Sequence, residues 1–297
     1  MIKFSIADYC EHDDIIRFFL SVQQNMPEAF YDNRRVDSLF GLPSHLIWNG
    51  GRVMVPRYDP LDYFKIVEQF HSDFPEISIR HTCTNCVLKE EHYNDYLCNQ
   101  WLKYFENDND AVIVNQDALG EYIKKHYPKY DIMYSTTKGI NTVEDYNKYS
   151  ENHLIVLNYT HNHDESLISQ LKYPKNIEIL CAEECIDNCP VRALDYESIS
   201  RVNLHDPTVE MFDCPHGYGN LNFYTEVLGR GHAITNEYID YLYQTYSIEN
   251  FKIQGRKTSP VTYVESFVYY LIKPEWRDII RNTALMIIFN IPPFALE

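Results

Sequence analysis

Three of the eight cysteines lie within one short stretch of the 297-residue chain. Cys181, Cys185 and Cys189 follow one another at four-residue steps, and Pro190, which suits the first position of a helix, comes directly after them. Thiols on a loop at a helix N-terminus have lowered pKa values, which makes them better metal ligands. Cys214 could fold back to join them. Three or four sulfur ligands select zinc or an iron–sulfur cluster, so the spacing predicts one of these at Cys181, Cys185, Cys189 and Cys214.

Two other arrangements of these cysteines stay open. His216, which follows Cys214 and Pro215, could replace Cys181 as the fourth ligand. Alternatively, Cys181 is a buried strand residue and Cys214 sits in a surface turn fixed by Pro215, with no metal bound. The separations between the sulfur atoms distinguish these readings, because ligands of one zinc ion lie about 3.5–4 Å apart.

The chain around these cysteines repeats one unit, a short apolar run followed by a turn and a helical pattern. The eight runs span residues 3–7, 45–49, 77–81, 111–115, 131–135, 153–158, 176–182 and 250–254. Short apolar strands that alternate with helices of about ten residues are typical of a parallel sheet covered by helices. Eight units in this length predict an α/β fold of the closed β/α (TIM-like) barrel type. An open doubly wound sheet is the alternative, although no G-x-G-x-x-G motif follows the first run.

One segment, residues 201–236, does not fit the repeat. We interpret it as a long loop on the active face of the barrel, inserted before the last strand, with an extra strand at residues 223–228. Because no linker or low-complexity tract interrupts the chain, we expect residues 1–297 to form a single barrel domain.

In such a barrel the active site lies where the strands end and the following loops begin. Polar residues at these ends predict a substrate-binding set and a catalytic set. The first set is Asn49, Arg80, Asn115 and Asn158, and the second is Glu183, Glu184, Lys252 and Arg256. A glutamate can act as a general base, and an arginine or lysine can bind a carboxylate or phosphate. We expect members of both sets to converge on one cavity. Ion pairs of Arg256 or Lys252 with the glutamates, closing the barrel end, are the alternative.

Charge and hydropathy restrict the partners. The 43 acidic residues outnumber the 26 basic ones and give a formal net charge of −17, which disfavours nucleic acid. No stretch reaches the ~20 uninterrupted apolar residues of a membrane span, and the first residues do not resemble a secretory signal. We therefore expect a cytoplasmic protein with a small-molecule or peptide substrate, without a membrane, and with a protein partner allowed.

The string Phe251-Lys252-Ile253-Gln254-Gly255-Arg256 resembles the FKIEGR signature of the collagenase-like peptidase family U-32. The resemblance is best over residues 176–273, and it implies a divergent, barrel-only member. Family members are described as peptidases, and better-understood relatives are oxygen-independent hydroxylation factors that hold a four-iron cluster on four cysteines. One such branch uses a C-x-x-x-C pair, which Cys185 and Cys189 match.

Three functions follow as expectations. The first is a modification enzyme of the hydroxylation type, dependent on a cysteine-bound iron–sulfur cluster or metal, that acts on a small or carboxylate-bearing substrate. The second is a peptidase-like hydrolase, with zinc or without metal, in which Glu183 or Glu184 is the general base. The third is a non-catalytic binding barrel that has lost the cluster. Fold alone cannot distinguish the first from the third.

Overall fold

Eight parallel strands form a closed barrel in the computed structural model, which describes residues 1–50, 58–210, 212–216, 221–253 and 259–290. The strands pair in sequence order, and the last returns to the first, as the sequence predicts. They are β1 (Ile2–Ala7), β2 (Arg34–Gly41), β3 (Ser78–Cys83), β4 (Ala111–Val114), β5 (Asp131–Tyr134), β6 (Ile155–Val156), β7 (Ile177–Leu180) and β8 (Asn250–Ile253).

Ten α-helices lie in the described part of the chain. They are α1 (Asp13–Asn25), α2 (Pro60–Asp73), α3 (Tyr96–Tyr104), α4 (Asp117–His126), α5 (Val143–Ser150), α6 (Glu165–Ile168), α7 (Arg192–Asn203), α8 (Asn236–Tyr246), α9 (Pro260–Leu271) and α10 (Arg277–Ile288). Side-chain caps fix several N-termini: Asp95 accepts a hydrogen bond at α3, Thr142 at α5 and Ser259 at α9. None of the described helices is both long and apolar enough to cross a membrane.

The main apolar core lies between the strands and the outer helices. Phe4 of β1 and Phe251 of β8 have ring centroids 5.9 Å apart, and Phe4 also packs on Tyr270 of α9. Since neighbouring residues of a strand point to opposite faces, Ser5 and Lys252 point into the barrel. The alternation therefore separates an apolar outer layer from a polar interior.

The predicted strand at residues 45–49 is wrong. The second strand is instead β2, whose first half reads Arg34-Arg35-Val36-Asp37 and so lacks an apolar run. Arg34 is nevertheless buried there, because its guanidinium donates to the side chain of Asn236 and to the Tyr270 carbonyl. The apolar run at 45–49 is buried in turns, not in a strand.

The predicted extra strand at residues 223–228 is also wrong. Phe223–Val227 form a π-helical turn, and the Asn222 side chain caps it by accepting from the N–H groups of Tyr224 and Thr225. Phe223 packs on the rings of Tyr269 and Tyr270 in α9. An apolar side chain can pack into the core from a strand or from a helical turn. The apolar content of residues 223–228 alone therefore could not distinguish a strand from a helical turn.

Candidate active site at the carboxyl end of the barrel

A layer of charged side chains crosses the barrel interior. Glu178 of β7 accepts hydrogen bonds at Oε1 from Arg80 Nη1 (2.6 Å) and from Ser5 Oγ (2.8 Å). Lys252 Nζ of β8 lies 3.5 Å from the other carboxylate oxygen, Oε2. Burial alone would raise the pKa of Glu178, but the charges of Lys252 and Arg80 and the two hydrogen bonds outweigh it, so the pKa is lowered. Glu178 is therefore held as a carboxylate inside the barrel.

Lys252 is itself buried in this layer. Its Nζ lies 3.6 Å from the centre of the Phe40 ring, on the inner side of β2, which adds a cation–π contact to its ion pair with Glu178. Lys252 is the penultimate residue of β8, so its ammonium group is presented near the carboxyl end of the barrel. This is the place where the sequence predicts it.

Two buried acids follow the strands on either side of β8. β7, β8 and β1 are consecutive in the barrel, so Glu184, which follows β7, and Asp8, which follows β1, share one sector of the mouth with Lys252. Glu184 is 4% exposed and Asp8 is 1% exposed. The charge of Asp8, after the larger effect of burial, raises the pKa of Tyr263. Both acids are thus withdrawn from bulk water in the loops next to β8.

The backbone of Asp8 adopts a left-handed conformation, with φ of 65°. Its N–H donates to the Phe40 carbonyl (2.7 Å), and its own carbonyl accepts from the N–H groups of Glu11 and His12. A residue with a Cβ atom is seldom found in this conformation, and such strain clusters at functional sites. Asp8 is one of the polar strand-end residues of the sequence, and aspartate is among the non-glycine residues that adopt this conformation most readily.

Asn49 and Asn115 brace the loops on the opposite side of the mouth. Asn49 Nδ2 donates to the Leu42 carbonyl and Asn115 Nδ2 to the Thr84 carbonyl, both at 3.1 Å. Gly50 approaches this loop so closely that a Cβ atom there would lie 2.3 Å from the Thr84 carbonyl oxygen. The Oδ1 atoms of Asn49 and Asn115 are buried and accept no hydrogen bond from the described residues. Buried acceptors of this kind are rare, and each points to a missing donor.

Helix α7 crosses the mouth of the barrel. Its first residue, Arg192, is paired with Glu183 beyond β7, whereas Asn85 Nδ2 beyond β3 donates to the Ser200 carbonyl (3.0 Å). Asn203 Nδ2 donates to the Asn49 carbonyl (2.8 Å). β3 lies opposite β7 in an eight-stranded barrel, and twelve helical residues span about 18 Å. The sequence predicts this helix as one of the outer layer, but it forms a roof instead, and α8 precedes β8 and packs into the core.

Arg192 and Glu183 anchor the first turn of this roof. Arg192 Nη2 lies 2.8 Å from Glu183 Oε2, and the guanidinium lies 4.4 Å from the centre of the Tyr159 ring. Glu183 Oε1 also accepts from the N–H of Cys185 (3.2 Å). Arg192 Nη1 is buried and has no hydrogen-bond partner among the described residues. Sequence reasoning missed Arg192, although a basic residue just after Cys189-Pro190 at a helix start was a signal.

His232 ties the segment at 230–234 to the same loop. Its Nδ1 pairs with the Asp187 carboxylate, and its Nε2 lies 2.9 Å from the Glu183 carbonyl oxygen. The N–H of Ile234 donates to the Cys181 carbonyl (2.9 Å). This part of the predicted 201–236 segment therefore does lie at the carboxyl end, as expected for an active-face loop.

The four cysteines of the predicted metal site have different surroundings. Cys181 belongs to the main apolar core, and burial raises the pKa of its thiol. Cys185 and Cys189 pack in a separate small cluster around Tyr159, and Cys214 is half-buried. Across the described residues, no group of three or more His, Cys, Asp or Glu is arranged to hold a metal ion. The fit to a four-sulfur centre is therefore poor, and zinc or an iron–sulfur cluster stays a prediction.

The remaining predicted site residues are dispersed. Arg256 lies outside the described residues. Asn158 caps the turn at Tyr159–His161 by accepting from Thr160 N–H, and its Nδ2 donates to Asn141. Arg80 and Lys252 do meet, on Glu178, whereas Glu183 is occupied with Arg192 and the Cys185 N–H.

The fold and this mouth define the class of the protein as an eight-stranded parallel β/α barrel with a roofed carboxyl end. Comparison of the chain with models of protein families gave no match, and comparison with curated protein sequences gave none either.

Proposed function

We propose that the carboxyl end of the barrel is the active site of a hydrolase that acts on a small carboxylate-bearing or peptide-like substrate. The observation that carries the proposal is a set of buried polar atoms without partners in the described structure: Arg192 Nη1, Asn49 Oδ1 and Asn115 Oδ1. Leaving such atoms unsatisfied costs about 1–3 kcal/mol each, so a ligand that pairs with them gains this energy on binding.

The types of these atoms indicate what the substrate carries. Arg192 Nη1 is a cationic donor and matches a carboxylate oxygen. The two asparagine oxygens are acceptors and match N–H or O–H groups, and a peptide-like molecule with a free carboxylate has both. The acidic composition of the whole chain does not oppose this, because the cation is local and buried.

Glu184 and Lys252 supply the proposed chemistry. Glu184 is the general base, which accepts a proton from the attacking water molecule and returns it to the leaving amine as the C–N bond of the substrate breaks. Lys252 stabilises the negative charge that develops on the carbonyl oxygen of the substrate, and Glu178 orients Lys252 from below. We assign Glu183 a positioning role instead, because its carboxylate holds α7 and the Cys185 loop.

The roof formed by α7 excludes water from the proposed site. Its contacts to Asn49, Asn85 and Glu183 hold it over the mouth at both ends. A water-poor site strengthens the electrostatic effect of Lys252 on the transition state. Substrate entry then requires that α7 or a neighbouring loop moves, as is common for roofed active sites.

The test is hydrolysis of a panel of dipeptides and acyl-amino acids, each paired with its C-terminal amide and followed by mass spectrometry. We expect the free carboxylates to be cleaved in preference to the amides. Glu184→Gln should lower kcat by about 10²–10⁴-fold, whereas Glu197→Gln, an exposed glutamate of α7, should act like the wild type. Equal cleavage by Glu184→Gln, or no turnover by the wild type, would contradict the proposal.

A cysteine-bound metal or cluster, with modification chemistry of the hydroxylation type, is the second candidate. The observation that favours it is the shared packing of Cys185 and Cys189 in one cluster beside the mouth. Purification without air, followed by metal analysis and an absorbance spectrum, distinguishes the candidates. Stoichiometric iron with charge-transfer absorbance that is lost in Cys185→Ser would favour the second over the hydrolase.

A further inference from the structure

A cavity opens at the opposite, amino end of the barrel. It has a volume of about 700 Å³ and reaches from the first residues of several strands up to the charged layer. Ser78, Ala111, Asp131 and Asn250, which begin β3, β4, β5 and β8, all line it. In most barrels of this type, bulky aliphatic side chains fill the interior in layers. Here Ser78, Ala111 and Asn250 begin strands beside larger lining residues such as Met133 and Leu154.

Arg80 forms the inner end of this cavity. The residue is 6% exposed, lies on β3 and points into the barrel, where Nη1 donates to Glu178. The described residues supply no acceptor for its Nε or Nη2. A guanidinium presents five N–H donors in a planar fork that matches a carboxylate or phosphate. More than nine-tenths of Arg80 is thus buried, with most of its donors left for a ligand.

The acids around the cavity do not neutralise this fork. Asp37 is paired with Arg35, Asp110 with His71, and Glu249 with Lys3. Asp131 is exposed at the rim. The deep part of the cavity therefore holds Arg80, which shares Glu178 with Lys252, whereas the rim carries both signs.

We propose that the amino-end cavity binds a small oxyanion-bearing molecule, with its carboxylate or phosphate on the free face of Arg80. Ser78, one pleat below Arg80 on the same face of β3, lies beside the path of the bound group and can donate from Oγ. The ligand enters from the amino end, so it does not pass through the proposed active site, and its binding does not require that α7 moves. This inference does not depend on the proposed hydrolase activity.

The test is calorimetric titration of the full chain with inorganic phosphate, acetate and succinate, with succinamide as the uncharged match to succinate. We expect an oxyanion to bind at one site that depends on Arg80, and succinamide not to bind there. Tighter binding of phosphate or of the carboxylates identifies which group the site takes. Arg80→Lys keeps the charge but loses the fork, and it should weaken binding by at least about tenfold.

A second variant keeps the proposal testable if Arg80→Lys does not fold. Ser78→Leu fills the cavity without touching the ion pair, and it should abolish binding while the chain stays folded. Glu197→Gln, on α7 at the other end of the barrel, should bind like the wild type. Failure of phosphate, acetate and succinate to bind would overturn the proposal and leave a cavity that holds only water. Binding that survives both Arg80→Lys and Ser78→Leu would overturn it as well.

Discussion

The two ends of the barrel differ in whether another element covers their polar groups. At the carboxyl end, α7 closes the mouth over Asn49, Asn115 and Lys252. At the amino end, no such roof is seen in the described residues, and a cavity of about 700 Å³ leads to Arg80. Both ends meet at Glu178, which binds Lys252 on one side and Arg80 on the other. One buried carboxylate thus positions a cation for each end.

This difference indicates that the chemistry of a barrel end depends on the element that covers it, here α7, as much as on its strand-end residues. Helix α7 buries the side-chain amides of Asn49 and Asn115. A hydrogen bond from a ligand contributes most binding free energy where the amide is buried and lacks a partner. The amino end has a guanidinium of which only Nη1 is engaged, by Glu178, but this end remains open. We therefore place catalysis at the closed end and simple binding at the open end.

The largest expected effect comes from removing the shared carboxylate. Glu178→Gln leaves the buried cations Arg80 and Lys252 without their counter-charge, and we expect the free energy of unfolding to fall by about 3–5 kcal/mol. Urea denaturation measures it. Glu249→Gln is the matched control, because it breaks the partly exposed pair with Lys3 and should cost about 0–1 kcal/mol. Equal losses for the two variants would show that Glu178 contributes no more to the free energy of unfolding than a partly exposed ion pair does.

A smaller effect on stability is expected from substitution of the cysteines that the sequence predicts as metal ligands. Cys181→Ser places a hydroxyl in the apolar core, and it should destabilise the protein by about 1–3 kcal/mol without changing its metal content. Cys214→Ser should change stability by less than about 0.5 kcal/mol. Loss of bound iron or zinc in Cys181→Ser would contradict the assignment of this thiol to the core.

The roof can be loosened separately from the rest of the fold. Arg192→Met removes the ion pair with Glu183, so residues 192–203 should exchange amide hydrogens about tenfold faster or more, as expected for a loss of about 1.5 kcal/mol. The exchange of β1 and β8 should stay as in the wild type. Arg201→Met, which breaks only an exposed pair with Glu197, is the control. Unchanged exchange in α7 after Arg192→Met would argue against the anchor.

The smallest effect expected is a pH dependence of stability. The pKa of Glu178 is lowered in the folded protein, so its stabilising contribution is complete above the unfolded value of about 4.3 and is lost as the pH falls through the lower folded value. Denaturation at pH 7 and pH 3 measures this. Glu178→Gln should lose less stability than the wild type between these pH values, and an equal loss would contradict the charged state of Glu178.

Much of the barrel could be predicted from the sequence, because its strands are apolar runs that alternate with helices. β1, β4, β5 and β8 lie within a residue or two of their predicted positions. β2 could not be found in this way, since the charges of Arg34, Arg35 and Asp37 hide it. Its burial depends on partners in α8 and α9, more than 200 residues away.

The candidate site was less predictable. Lys252, Asn49 and Asn115 lie at the carboxyl end as expected, but Glu178 is embedded in an apolar run, and only closure of the barrel brings it to Arg80. The path of α7 is a tertiary feature, since its sequence predicts a helix but not what it packs against. Arg192 was missed because a missing hydrogen-bond partner is visible only in three dimensions, and so is the backbone conformation of the strand-end residue Asp8.

The most direct test of the account is a crystal structure with the tightest-binding, uncleaved member of the peptide panel. We predict that the ligand lies under α7, with its carboxylate on Arg192 Nη1 and its N–H groups on the Oδ1 atoms of Asn49 and Asn115. A second copy on Arg80 is compatible with this. A ligand found only in the amino-end cavity, with the carboxyl-end mouth filled by water, would contradict the claim that the roofed end is the active site.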